Sequence, residues 1–91
     1  MIQNGGIMYY VYILYSESGD RYYKGMSQNP ENRLMYHNSK EKGYTSRYRP
    51  WKLVWKKEFD TKQEALAAEQ QLKKWKSRIM IERVINGEVK L

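Results

Sequence analysis

Glu69 is the residue whose sequence surroundings ask most of chemistry. Ala65, Leu66, Leu72 and Trp75 recur at spacings of three and four, the apolar stripe of an amphipathic helix, and Glu69 lies three residues from both Leu66 and Leu72. A carboxylate in such a stripe is costly unless a cation or hydrogen-bond donors meet it. Its neighbours Lys62, Gln63, Gln70 and Lys74 fall on the outward face, where charge is readily solvated. The same spacing equally allows Glu69 to flank the stripe and reach water. Arg33 and His37 are four apart, beside the apolar anchor Leu34, so they share one helix face. Alone, that pair reads as an ordinary solvated face. Tyr12 and Tyr23 sit in strand-like segments, where a tyrosine packs more often than it reacts. No P-loop, GxSxG elbow or paired-carboxylate motif is present. With no cysteine and one histidine, disulfides, thiolate sites and multi-histidine zinc sites are excluded.

The elements that must position these residues are legible from local signals. Tyr9–Tyr15 is wholly aromatic, aliphatic or β-branched, as a strand requires. Ser16-Glu17-Ser18-Gly19 is turn material, and Arg21–Met26 resumes a strand, giving a β-hairpin. If Tyr12 and Tyr23 are directly opposite, Tyr15 faces Asp20, the loop is Ser16–Gly19, and both phenols share a face. A one-residue slip would separate them. Asn29, Pro30 and Glu31 supply an N-cap, a first-turn proline and an acid for a helix running to about Asn38. A basic, aromatic loop follows, Gly43–Pro50, then a strand over Trp51–Glu58. Asp60 or Thr61 caps a long helix reaching about Lys76, with Glu64 in the capping-box position relative to Thr61. Ser77 caps a last short helix ending at Asn86-Gly87. The expected fold is α+β: a small three-stranded, mainly antiparallel sheet flanked by helices, in the order β-β-α-β-α-α. Residues 1–8 read as a loose leader, 9–86 as one domain and 87–91 as a tail.

Seventeen Lys and Arg against ten Asp and Glu leave a net charge of +7, which in a domain of 91 residues points to a polyanionic partner, nucleic acid first. The alternative is a basic surface that only maintains solubility. The longest apolar stretch is far shorter than the roughly 20 residues a bilayer span needs, and no signal peptide opens the chain. A soluble cytoplasmic protein without membrane association is expected.

Five pieces in order then carry a resemblance: Tyr10-Val11-Tyr12-Ile13-Leu14; Tyr23-Lys24-Gly25; Asn32-Arg33-Leu34 with His37-Asn38; Arg49-Pro50-Trp51-Lys52-Leu53-Val54; and the Glu69 helix leading to Leu72-Lys73-Lys74-Trp75-Lys76-Ser77-Arg78. Together, over about Tyr9 to Ile85, they resemble the GIY-YIG nuclease superfamily, especially its small stand-alone members, and are similar to the nuclease domain of the bacterial excision-repair incision subunit. The resemblance implies a metal-dependent endonuclease acting on nucleic-acid phosphodiesters, with DNA the expected substrate and Mg²⁺ or Mn²⁺ the cofactor. Carried over by residue, it makes Glu69 the metal ligand, Tyr23 the general base or water-orienting phenol and Tyr12 its partner. Arg33 stabilises charge on the transferring phosphate, and His37 assists from the same helix face. Such a use explains a carboxylate on an apolar stripe. Arg47, Arg49, Lys52, Lys56 and Lys57, with Lys73, Lys74, Lys76 and Arg78, are the expected phosphate contacts, while Tyr44 and Tyr48 either stack on unpaired bases or pack the loop.

This chain departs from the pattern in lacking the first glycine, in carrying Lys24 where an apolar residue is usual, and in Met26 where some members have lysine. Strand alternation points Lys24 away from Tyr23. Two other classes compete: a nucleic-acid-binding module that keeps the fold but turns over little, and a structural or protein-interaction domain. The complete set of Tyr12, Tyr23, Arg33, His37 and Glu69 argues against both.

Overall fold

The computed structural model describes residues 7–40 and 42–91; the expected leader lies largely outside the described residues. Strands β1 (Tyr9–Ser16), β2 (Arg21–Ser27) and β3 (Trp51–Phe59) form one antiparallel sheet in the order β2-β1-β3. Helix α1 (Pro30–Ser39) and a single turn, α2 (Tyr44–Arg47), separate β2 from β3, and α3 (Lys62–Lys74) and α4 (Arg78–Ile85) close the fold. The α+β class and the element order follow the sequence reading, with α2 added inside the segment expected as loop.

The helix starts are set locally. Asn29, Thr61 and Ser77 each accept a hydrogen bond at their side-chain oxygen from the backbone N–H three residues on, at Asn32, Glu64 and Met80. Thr61, rather than Asp60, is therefore the cap of α3. Gly87, at φ +81°, follows the end of α4 in the left-handed conformation that glycine adopts readily.

The central strand is buried on both faces, which explains why its sequence is continuously apolar instead of alternating. Val11 and Ile13 point to one side, where they pack with Ala65, Ala68 and Leu72 of α3 and Ile81 and Val84 of α4. Tyr12 and Leu14 point to the other, where they pack with Trp51, Tyr23, Leu34 and Leu53. Val89 and Leu91, within the expected tail, pack on the first of these clusters, and the Lys57 ammonium donates to the Leu91 carbonyl at 2.9 Å.

The hairpin register differs from the directly opposed tyrosines considered above. Tyr12 pairs with Gly25 and Tyr23 with Leu14, so the slip is of two residues and the loop is Glu17–Asp20. A slip of two preserves the face, because side chains alternate with period two. Lys24, paired with Ile13, lies on the opposite face. Between Ile13 and Leu14 the pairing to β3 skips Val54, a bulge that re-aims the start of β3.

Candidate active site

On the α1 side of the sheet, Tyr12, Tyr23 and His37 form one aromatic cluster. The ring centroids of Tyr23 and His37 are 4.7 Å apart, and those of Tyr12 and Tyr23 are 6.4 Å apart. Tyr12 and His37 are each 1% exposed, and the Tyr12 hydroxyl lies 3.3 Å from His37 Nε2. On its other side the His37 Nδ1 lies 3.2 Å from Thr45 Oγ1. Arg33 also hydrogen-bonds the Tyr12 phenol. Because a guanidinium can only donate, the arrangement that matches every donor to an acceptor is directional: Arg33 to the phenol oxygen, the phenol proton to Nε2, and Nδ1–H to Thr45. Burial is the main cause that pushes the Tyr12 phenol up to about 12, against the opposing pull of Arg33. The phenol is therefore protonated at neutral pH and serves as a hydrogen-bonding anchor.

Glycine is required beside it for space. A Cβ built on Gly25 would lie 2.6 Å from the Tyr12 hydroxyl oxygen and 2.7 Å from Cζ. Gly25 sits in extended β2, so its role is to let the phenol lie against the backbone, not to make a turn.

Three residues that position the cluster were not singled out from sequence. Thr45 orients the His37 ring. Trp51 donates from Nε1 to the Thr45 carbonyl at 2.8 Å, fixing α2 beneath it. Asn38 clamps the start of β3, accepting from Trp51 N at 2.7 Å and donating to Trp51 O at 3.0 Å. The sequence signals were the His37-Asn38 pair and Trp51 of the Arg49–Val54 piece within the resemblance; the contacts themselves are long-range.

Glu69 lies on the flank of the α3 stripe, whose buried line is Ala65, Ala68 and Leu72. Its side chain is nonetheless only 16% exposed, and Lys73 Nζ meets the carboxylate at 3.1 Å. Its charge is felt at Tyr12, which places it within electrostatic reach of the cluster. Among the described residues no group of three or more His, Cys, Asp or Glu could hold a metal ion. A lone carboxylate fits a hard cation that keeps most of its waters, such as Mg²⁺, and does not fit a zinc-type site.

The basic residues divide. Arg47, Lys52, Lys74 and Lys76 are exposed. Arg49 donates from Nε to the His37 carbonyl at 2.7 Å. Arg78 joins α4 to the hairpin loop, at 2.6 Å from Asp20 and 3.1 Å from Glu82. Lys56 pairs with Glu31 at 2.7 Å. Burial, and then the neighbouring Lys73 charge, hold the Lys24 ammonium below its ordinary value. Tyr48 packs in the loop, with the Arg21 guanidinium 4.7 Å over its ring.

Residues 8–83 match the family model described as the GIY-YIG catalytic domain, a nuclease-type domain, and the chain belongs to that family. It is similar to the UPF0213 protein SSP2268 of Staphylococcus saprophyticus, 32% identical over 80 residues that span 87% of this chain and 96% of that protein. The solution NMR structure of the UPF0213 protein BH0048 from Bacillus halodurans superposes with a TM-score of 0.57 at 31% identity, over 87% of this chain and 83% of that one. Among the described residues, no helix is long and apolar enough to cross a membrane.

The raised Tyr12 phenol makes stability pH-dependent with a definite sign. A phenol whose folded pKa exceeds its unfolded value of about 10 adds stability that is complete below pH 10 and is lost as pH climbs toward 12. Two pKa units correspond to roughly 3 kcal/mol. Melts at pH 9 and 11 are expected to show a larger alkaline loss in the parent than in Tyr12→Phe; equal losses would remove the buried-phenol account.

Proposed function

We propose that this chain is an endonuclease that hydrolyses nucleic-acid phosphodiesters, DNA foremost, with Mg²⁺ or Mn²⁺ held by Glu69. The observation that supports this most is the buried Tyr12–His37 pair with Tyr23 against it, Arg33 bonded to its phenol and a single carboxylate within electrostatic reach. Arg33 carries a fixed positive charge beside the cluster, suited to offset charge growing on a phosphate. Tyr23, half-buried at the edge of the cluster, is the phenol available to orient or deprotonate the attacking water. Tyr12 and His37 hold that geometry from beneath. When bound, the divalent cation would polarise the phosphate and neutralise developing charge. Arg47, Lys52, Lys74 and Lys76 are the exposed cations best suited to contact flanking phosphates. Arg49 and Arg78 hold the fold with the same groups they would offer a phosphate. The cysteine-free composition fits the cytoplasm.

The test is a panel of duplex, flap, junction and single-stranded DNA and RNA with Mg²⁺, Mn²⁺ or EDTA; cleavage that EDTA abolishes is expected. A nucleic-acid-binding module with little turnover is the second reading, favoured by the Lys73 ammonium that already meets Glu69. Binding without metal-dependent cleavage of any substrate would select it. Binding itself is expected to be electrostatic, log affinity for duplex falling by about 0.9 per phosphate contact for each unit of log salt. A slope near zero would remove nucleic acid as the partner.

A further inference from the structure

The outward face of α1 carries two exposed large apolar side chains. Met35 is 67% and Tyr36 39% exposed. They line a hollow of about 210 Å³ together with Asn32, Ser39 and Lys40. The Ser39 hydroxyl already donates to the Met35 carbonyl at 2.6 Å, which leaves the Asn32 amide and the Lys40 ammonium as its polar edge. The hollow adjoins the candidate site through Arg33, whose guanidinium stands 4.7 Å from the Tyr36 ring and also bonds the Tyr12 phenol. The Tyr36 and His37 ring centroids are 6.4 Å apart.

We propose that this hollow receives an unstacked nucleobase next to the nucleotide whose phosphate Arg33 meets, so that the preferred substrate is single-stranded, flapped or bulged at the cleavage point. The assignment rests on the nuclease reading of the same site. A base offers a flat π-face for Tyr36 and an apolar edge for Met35. It also offers ring donors and acceptors for Asn32, and its own phosphate is the natural partner of Lys40. Every base has such a face, so the hollow selects strand state and not sequence. Within a duplex the bases are stacked away, and only the phosphates can engage the protein.

The test uses Tyr36→Ala and Tyr36→Phe in the full chain, with fluorescence anisotropy on single-stranded, flap and duplex DNA and 2-aminopurine placed at each position around the cleavage point. Tyr36→Ala is expected to weaken single-strand and flap binding about tenfold, the scale of one base–aromatic stack, with less than a twofold effect on duplex. Tyr36→Phe is expected to retain parental binding. In the parent, 2-aminopurine fluorescence is expected to be quenched at one position, and Tyr36→Ala should lose that quenching. Equal weakening on all substrates, or quenching indifferent to Tyr36, would overturn the hollow while leaving the nuclease reading intact. Tyr36-dependent quenching without cleavage of any substrate would support the hollow and overturn the nuclease reading. An unchanged melting temperature in Tyr36→Ala shows that the fold is not the cause.

Discussion

Glu69→Gln is expected to lower metal-dependent cleavage by at least about 100-fold, since metal stabilisation of a phosphoryl transition state contributes several kcal/mol and each tenfold corresponds to about 1.4. Nucleic-acid binding should persist, because the exposed cations that carry it are untouched. Stability should hold within about half a kcal/mol. Among the described residues the carboxylate's ion-pair partner is Lys73, whose side chain is 54% exposed, so a released ammonium returns to water and is not stranded. A collapse of the fold would therefore contradict the geometry as surely as unchanged cleavage would contradict the metal role. One activity assay with Mg²⁺ and one melt separate these outcomes.

Gly25→Ala is expected to reduce both stability and activity. The added methyl would lie 2.6 Å from the Tyr12 hydroxyl, and Tyr12 cannot retreat because it is 1% exposed between β1, Leu34 and Trp51. Overpacking of this kind costs roughly 1–3 kcal/mol, and displacing the phenol from His37 and Arg33 adds the loss of buried hydrogen bonds. A total near 3 kcal/mol corresponds to a fall in Tm of roughly 15 °C for a domain of this size. Adding Tyr12→Phe should rescue little, because Cζ also stands 2.7 Å from the new methyl. A Gly25→Ala protein that melts and cleaves like the parent would show that the phenol is not fixed against β2.

What the sequence disclosed and what it hid follow from the range of the interactions. The caps Asn29, Thr61 and Ser77 were legible because each bonds within three residues of itself. The unbroken apolar run of β1 announced a strand, while its burial on both faces emerged only from the fold. Tyr12 and Tyr23 share a face as expected, but the register stands two residues from direct opposition because the loop is held from a distance. Ser16 donates to the Tyr48 carbonyl at 2.6 Å and accepts from Gly19 N at 3.0 Å, while Asp20 takes a positive φ of 53°. Turn α2 was hidden for the same reason, being anchored to His37 and Trp51. At Glu69 the spacing left two placements open. Ala68, too small to stand out in a hydrophobicity pattern, moved the buried line and put the carboxylate on its flank. The aromatic cluster was not inferable from composition, since nine tyrosines offer many pairings; the resemblance named Tyr12 and Tyr23, and the fold brings their rings together.

The two-sided burial of β1 divides the molecule into compartments with separate duties. Val11 and Ile13 belong to the packing of α3 and α4, Tyr12 and Leu14 to the chamber around His37, and consecutive residues of one strand serve opposite sides. Substitutions at Val84 or Ile81 and substitutions around Thr45 share no direct partner, so their free-energy effects should sum with little coupling. Drift on the α3–α4 side can thus change overall stability while the chamber around His37 keeps its geometry, but it can still move Glu69, which α3 carries. Strand β1 itself has no such latitude, because its four central side chains alternate between the two clusters above and below the sheet.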